Sequence, residues 1–278
     1  MTGYFPPGAP IRRIGAESVL MLGGGRALLM QAAHPLVAAG IVEHSDYGAD
    51  PWKRLGRTLL ALYTVVFGTR EEADRTGAIV QAVHRPVRGC LREPVGAFAA
   101  GTPYAASDPE LMLWVHATLV DTGLVMHEAF VGPLSEADRE GFYQDMKTVA
   151  RVFGTPAHVL PDRLADFEEY LRATIASLAV GADARAVRAV VLHPPVPLAL
   201  RPGFRVLRPL TVGLLPAKLR EAYGLRFGRV QRLALETAER SARLALVPLL
   251  PRRLRVVRGE HGGGIPLRVL TAFSEGQR

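Results

Sequence analysis

The chain has one cysteine, Cys90, so it can form no internal disulfide and offers no cysteine cluster for zinc or an iron–sulfur centre. That scarcity suits a reducing compartment, and a cytoplasmic location is expected. No run of about 20 uninterrupted apolar residues occurs, so no membrane-spanning helix is expected. The most apolar late stretch, Ala189 to Leu200, is broken by Pro194, Pro195 and Pro197. The opening MTGYFPPGAPIRR lacks the apolar core and small-residue site of a signal peptide. Period-2 alternation and hairpin signals are missing, as is any repeat of about 20–50 residues. Acidic residues are scarce late in the chain. Arg185 to Arg258 holds 16 Lys+Arg against 3 Asp+Glu, which puts +13 there and −5 on the remainder of a chain of net charge +8. A solvated, arginine-rich helical surface accounts for this, because no nucleic-acid motif accompanies the charge. Peripheral contact with an anionic membrane is the alternative.

Hydrophobic residues make up 49% and charged residues 22%, the mix of a packed globular protein long enough to enclose a cofactor. The punctuation is helical throughout. Leu20 to Ala33 is apolar and ends at His34-Pro35. Asp50-Pro51 opens a helix carrying Leu55, Leu59, Leu62 and Val66 on one stripe and stopping at Gly68. Thr69 and Glu72 form a capping box for a helix running to about Gly89. Ser107-Asp108-Pro109-Glu110, read as a Ser-x-x-Glu box, opens a long apolar helix to about Phe130. Further helices are expected over Glu136–Phe153, Asp162–Val180, Arg185–Leu192 and Phe227–Val247. The proline-rich stretch His193 to Pro216 is expected to be a connection within one domain. The expectation is an all-α single domain spanning 1–278, with a core over 15–250 and a basic tail over 251–278.

Several chemistries are excluded by spacing. Gly23-Gly24-Gly25-Arg26 is not a dinucleotide fingerprint: Leu28 stands where a glycine is needed and no strand precedes it. The glycines suit close helix packing, and Arg26 is a candidate to reach a buried anion. There is no Gly-x-Ser-x-Gly elbow and no His-Glu-x-x-His. The carboxylate pairs Glu71-Glu72 and Glu168-Glu169 look like helix-start and surface charges. Nothing of the cysteine-ligated oxygenase pattern surrounds Cys90.

Two constellations remain. Among the eight histidines, His84 ends an apolar helix in Ile79-Val80-Gln81-Ala82-Val83-His84, and His116 sits inside the most apolar helix. Haem iron needs one proximal protein ligand, which either could supply; a satisfied core histidine is the plainer account of each. Arg54, Arg57 and Thr58, at i, i+3 and i+4, share a helix face. They suit haem propionates or the polar side of a dioxygen pocket. Two surface arginines with a threonine bonded back to its own helix fit equally well.

The run from Gln31 to Gly40 with His34-Pro35, then His44-Ser45, Asp50-Pro51, Arg54-Leu55 and Arg57-Thr58, resembles the opening signature of the mpaB/rubber-oxygenase catalytic-domain family. The likeness continues in Phe67-Gly68-Thr69, in His84 to Gly89, in Tyr104 to Pro109 and in Trp114 to Thr118. It is dense over residues 15 to 130 and looser to about 250. The resemblance implies a globin-like helical core with extra flanking helices, binding haem b and acting with dioxygen on an apolar, isoprenoid-like alkene. In rubber-cleaving members, the latex-clearing proteins, the proximal histidine follows an Arg-x-x-Lys-Thr helix. Here Arg54-x-x-Arg57-Thr58 matches that helix and His84 lies 26 residues beyond it, which favours His84 over His34 and His116 as the metal ligand. Arg54, Arg57 and Thr58 are the catalytic candidates by that likeness, and Arg26, His34, His116 and Arg54 the further cofactor-binding candidates. Arg57 replaces a lysine able to ligate iron, so an open, water-occupied or differently ligated sixth position is expected. Ala38 occupies the place of those members' glutamate base, and Glu43 is the nearby substitute. Two other classes stay open: a haem carrier or gas sensor without turnover, and a cofactor-free helical module docking on a membrane or partner.

Overall fold

The computed structural model describes residues 2–45, 51–194, 201–258 and 265–266. The expected Asp50 cap lies outside them. The fold is all-α, as expected from the punctuation. After α1 (Pro10–Gly15), a 3-10 turn (Ser18–Gly23) leads into α2 (Gly24–Ala32) and α3 (Pro35–His44). His34 is the extended residue before α3 and Pro35 its first helical residue, so this pair punctuates the chain as the sequence indicates. Next come α4 (Pro51–Phe67) and α5 (Arg70–His84), packed on each other as a hairpin. Thr69 accepts a bond from the Glu72 amide at 3.2 Å while Glu72 accepts from the Thr69 amide at 2.7 Å, the reciprocal box that starts α5.

The 22-residue α6 (Pro109–Phe130) is mostly apolar, with buried residues along its whole length, and therefore lies at the centre. Trp114, Ala117, Val120 and Leu124 are buried in the main core. Its cap differs from the expected Ser-x-x-Glu box: Asp108, not Ser107, accepts from the Glu110 amide at 2.9 Å. The aspartate at the extended position nearest the proline meets an early orphan amide, which leaves Ser107 no such role. Against α6 pack α7 (Glu136–Val152) and α8 (Leu164–Ser177), while α9 (Ala182–Leu192) packs on α2 and α3.

Three departures from the expected pattern have local causes. The α5 helix stops at His84, and Arg88–Cys90 pairs antiparallel with Pro103–Ala105 in a two-stranded ladder, too short to show alternation. The stretch His193 to Pro216 contains α10 (Arg201–Gly213), which runs through Pro209. Burial of Leu210, Thr211 and Val212 offsets the lost hydrogen bond, about 3 kcal/mol in an isolated helix. Beyond α11 (Ala217–Ala222), α12 (Arg229–Ser241) passes into a π-helical turn, Ala242–Leu246. The chain then returns to its beginning: the Val257 amide donates to the Ala16 carbonyl at 2.7 Å, and Arg255 grips Glu17 through three hydrogen bonds. Among the described residues no single helix is long and apolar enough to cross a membrane.

Candidate functional site

The apolar stripe of α4 does not close on its neighbours. Leu55, Leu59, Leu62 and Val66 form one wall of a cavity of about 210 Å³, with Arg54, Thr58 and Tyr63 on the same wall. Gly24, Gly25, Leu28 and Gln31 of α2 form the facing wall, and α6, α7 and α9 supply Leu119, Phe142, Met146 and Val187. The glycines matter for approach. A Cβ on Gly24 would stand 2.7 Å from Leu55 Cδ1, and one on Gly25 2.8 Å from Thr211 Oγ1. Close packing, expected for Gly23 to Gly25, is therefore what the run provides. A predominantly apolar space of this size suits an apolar guest better than water, which needs several polar partners.

Arg54 and Thr58 sit one turn apart and both line the cavity. Arg54 donates from Nη1 to Ser45 Oγ at 2.9 Å, and burial pulls its pKa below the ordinary arginine value. It stays cationic at neutral pH. Thr58 donates back to the Arg54 carbonyl at 3.1 Å, the local bond that was one of the two equal accounts of its presence. Its oxygen keeps accepting capacity. Thr58 is also exposed, so it marks the side on which the cavity opens. Arg57, on the same helix, is exposed and does not line the cavity.

His84 ends α5 close to the start of α4. Its pKa is lowered, first by burial and then by the nearby Arg54 charge, so the ring is neutral at pH 7. Its Nδ1 is enclosed and has no hydrogen-bond partner. The same holds for Nδ1 of His34 and Nε2 of His116, whose pKa values fall to about 4 through burial, offset slightly at His34 by Asp108. These three imidazole nitrogens are the only buried side-chain polar atoms without a partner among the described residues. A bare buried acceptor or donor costs about 1–3 kcal/mol, so native folds seldom keep one without use. A neutral imidazole with a free nitrogen is a good iron ligand. The donor set thus fits a haem iron at any of the three positions, although none of them lines the apolar cavity.

Arg26 reaches an anion, and the anion is the protein's own half-buried Asp121. It donates to Asp121 Oδ2 at 2.6 Å, Thr122 Oγ1 at 2.7 Å and the Leu214 carbonyl at 2.8 Å. Thr122 lines the cavity; Arg26 does not. Glu43 is likewise engaged. It accepts from the Tyr104 hydroxyl and from Arg92 Nε at 2.8 Å, with His44 Nε2 4.0 Å away, and it stands outside the cavity lining. Burial and the Glu43 carboxylate push the Tyr104 hydroxyl upward. Gln31, Tyr104 and Glu43 were marked in the sequence only through the family resemblance, and Tyr63 by no signal of its own. Tyr63 falls within the α4 stripe, so only its position beside Leu59, Leu62 and Val66 could have marked it.

The structure thus defines a helical protein built round a ligand-sized apolar cavity, with a half-buried arginine and an exposed threonine in its wall and a neutral histidine beside the arginine. The chain belongs to the family described as "ER-bound oxygenase mpaB/B'/Rubber oxygenase, catalytic domain", whose model matches residues 11–255. It is similar to the uncharacterized proteins Mb2261 of Mycobacterium bovis and Rv2237 of Mycobacterium tuberculosis. Each is 31% identical over 231 residues, covering 80% of this chain and 87% of the relative. No solved structure matches it.

Proposed function

We propose that the protein is a haem b-dependent oxygenase that uses dioxygen on an apolar, alkene-containing substrate, with His84 as the iron ligand. The observation that carries this is the bare, neutral His84 ring beside Arg54, which itself forms part of the wall of an apolar cavity. Haem b, when bound, supplies the iron that activates dioxygen. The protein's part is positioning and environment. Burial and the Arg54 cation keep the His84 imidazole unprotonated, so its lone pair is free for a metal. The half-sequestered Arg54 guanidinium is suited to a carboxylate or to charge developing on reduced oxygen. Thr58 commits its proton to the Arg54 carbonyl and presents its oxygen as an acceptor. The leucine and valine walls exclude water and take the substrate's apolar body. Both Glu43 oxygens are engaged, by Tyr104 and Arg92, so no proton-abstracting role is assigned to it.

The test is an absorption spectrum and a pyridine haemochrome assay on protein supplied with haem b. About one haem per chain, lost in His84→Ala and retained in Arg57→Ala, is the expected result. Failure to take up haem, or an unchanged spectrum in His84→Ala, refutes the assignment. Substrate-dependent oxygen consumption then separates an oxygenase from a carrier or sensor.

A further inference from the structure

Six of the nine large apolar residues that are exposed among the described residues fall in one 25-residue stretch. Val230, Leu233, Leu244, Leu246, Leu249 and Leu254 are 52–81% exposed. Singly exposed leucines need no explanation, but a cluster does. The stretch is not loose. Ala242 and Val247 are buried in a small core with Met126, Phe130 and Leu210, which fixes the inner side of the segment against the end of α6. Val230 and Leu233, three apart on α12, therefore share an outward face.

The charge around this face is predominantly positive. Arg226 to Arg258 contains nine arginines and two acids, Glu236 and Glu239, a net +7. Arg226, Arg229, Arg232 and Arg240 are exposed, and among the described residues of the stretch only Arg255 forms an ion pair, with Glu17. Like charge disfavours a second copy of the chain, which would bring the same +7 to the contact. Nucleic acid would meet the charge but not the aliphatic side chains, since base stacking needs aromatic platforms. An anionic bilayer meets both, with arginines at the headgroups and leucines in the acyl boundary.

We infer that residues 229–254 form a peripheral docking face for an anionic lipid surface. The inference is independent of the haem assignment. It is tested by co-sedimentation of the full chain with vesicles of phosphatidylcholine alone and with about 30% phosphatidylglycerol. Binding to the anionic vesicles only, weakened as salt rises from about 0.05 to about 0.5 M, is expected. The double variant Leu233→Glu/Leu244→Glu, both sites exposed, should keep the parent melting temperature and lose binding about tenfold or more. Absence of binding to anionic vesicles, equal binding to neutral ones, or undiminished binding by the double variant overturns the inference. So does light scattering that shows a dimer dispersed by the double variant without vesicle binding, which would assign the face to a second copy.

Discussion

Replacing Arg26 with methionine separates a structural from a ligand-binding role for this residue. The methionine keeps much of the side-chain volume but removes donors to Asp121, Thr122 and Leu214. Asp121 is then left with a fifth of its side chain exposed and no cation against it. Breaking a buried pair from one side costs about 3–5 kcal/mol, and this partial exposure places the loss near the lower figure. In a chain of this size each kcal/mol moves the melting temperature by about 2–4 °C, so a fall of about 6–12 °C is expected. Thermal melts at pH 7 followed by circular dichroism measure it. Because the penalty belongs to the stranded carboxylate, Arg26→Met/Asp121→Leu should recover most of the loss, a coupling that a double-mutant cycle reads directly. A melt unchanged in Arg26→Met, or no recovery in the double variant, refutes the argument. An unchanged melt with loss of bound haem would instead assign Arg26 to a ligand anion.

Two further outcomes follow from the geometry. His116 titrates near 4 in the folded protein against about 6.5 unfolded, so the unfolded chain takes up its proton first as pH falls. Stability is therefore whole above pH 6.5 and declines toward pH 4. By pH 4.5 this group costs about 2–3 kcal/mol. Urea denaturation at pH 7 and pH 4.5 should show a smaller decline by that amount in His116→Leu; equal declines would show that the buried ring is not responsible. Gly77→Ala should destabilise by about 3 kcal/mol while Gly24→Ala stays within about 1 kcal/mol of the parent. The first Cβ meets the Val152 backbone carbonyl at 2.3 Å, the second the movable tip of Leu55 at 2.7 Å. Denaturation midpoints in the reverse order would contradict this account of the two helix contacts.

What could be read from the sequence was whatever one helix decides alone. The Thr69–Glu72 box, the His34-Pro35 break and the α4 stripe depend on residues within a turn or two, and each stands where the pattern placed it. The α10 helix was illegible because Pro209 argues against it locally and burial of Leu210 and Val212 argues for it only in the assembled fold. The Arg88–Cys90 strand is three residues long and pairs across a twelve-residue connection, below any periodic signal. At the site, chemistry was visible and space was not. His34, His84 and His116 are conspicuous as residue types. That the α4 leucines face a cavity and not a filled core depends on how near Gly24 and Gly25 let α2 approach.

The separation of Arg54 from Arg57 carries the functional argument furthest. Three positions apart on α4, they were equivalent cations in the sequence, yet one is half-buried against the cavity and the other faces solvent. A lysine at the Arg57 position, as in the rubber-cleaving members, can lose its proton and ligate a metal; a guanidinium at neutral pH cannot. Under the proposed function no distal protein ligand is therefore supplied from position 57, and the polar control of the oxygen side falls to Arg54 and Thr58. Those two share the cavity wall, and the Arg54 charge also acts on His84. Under the proposed function this one half-buried cation would bear on both the neutrality of the ligand and the field felt by the guest, and Arg54 would couple metal affinity to oxygen chemistry.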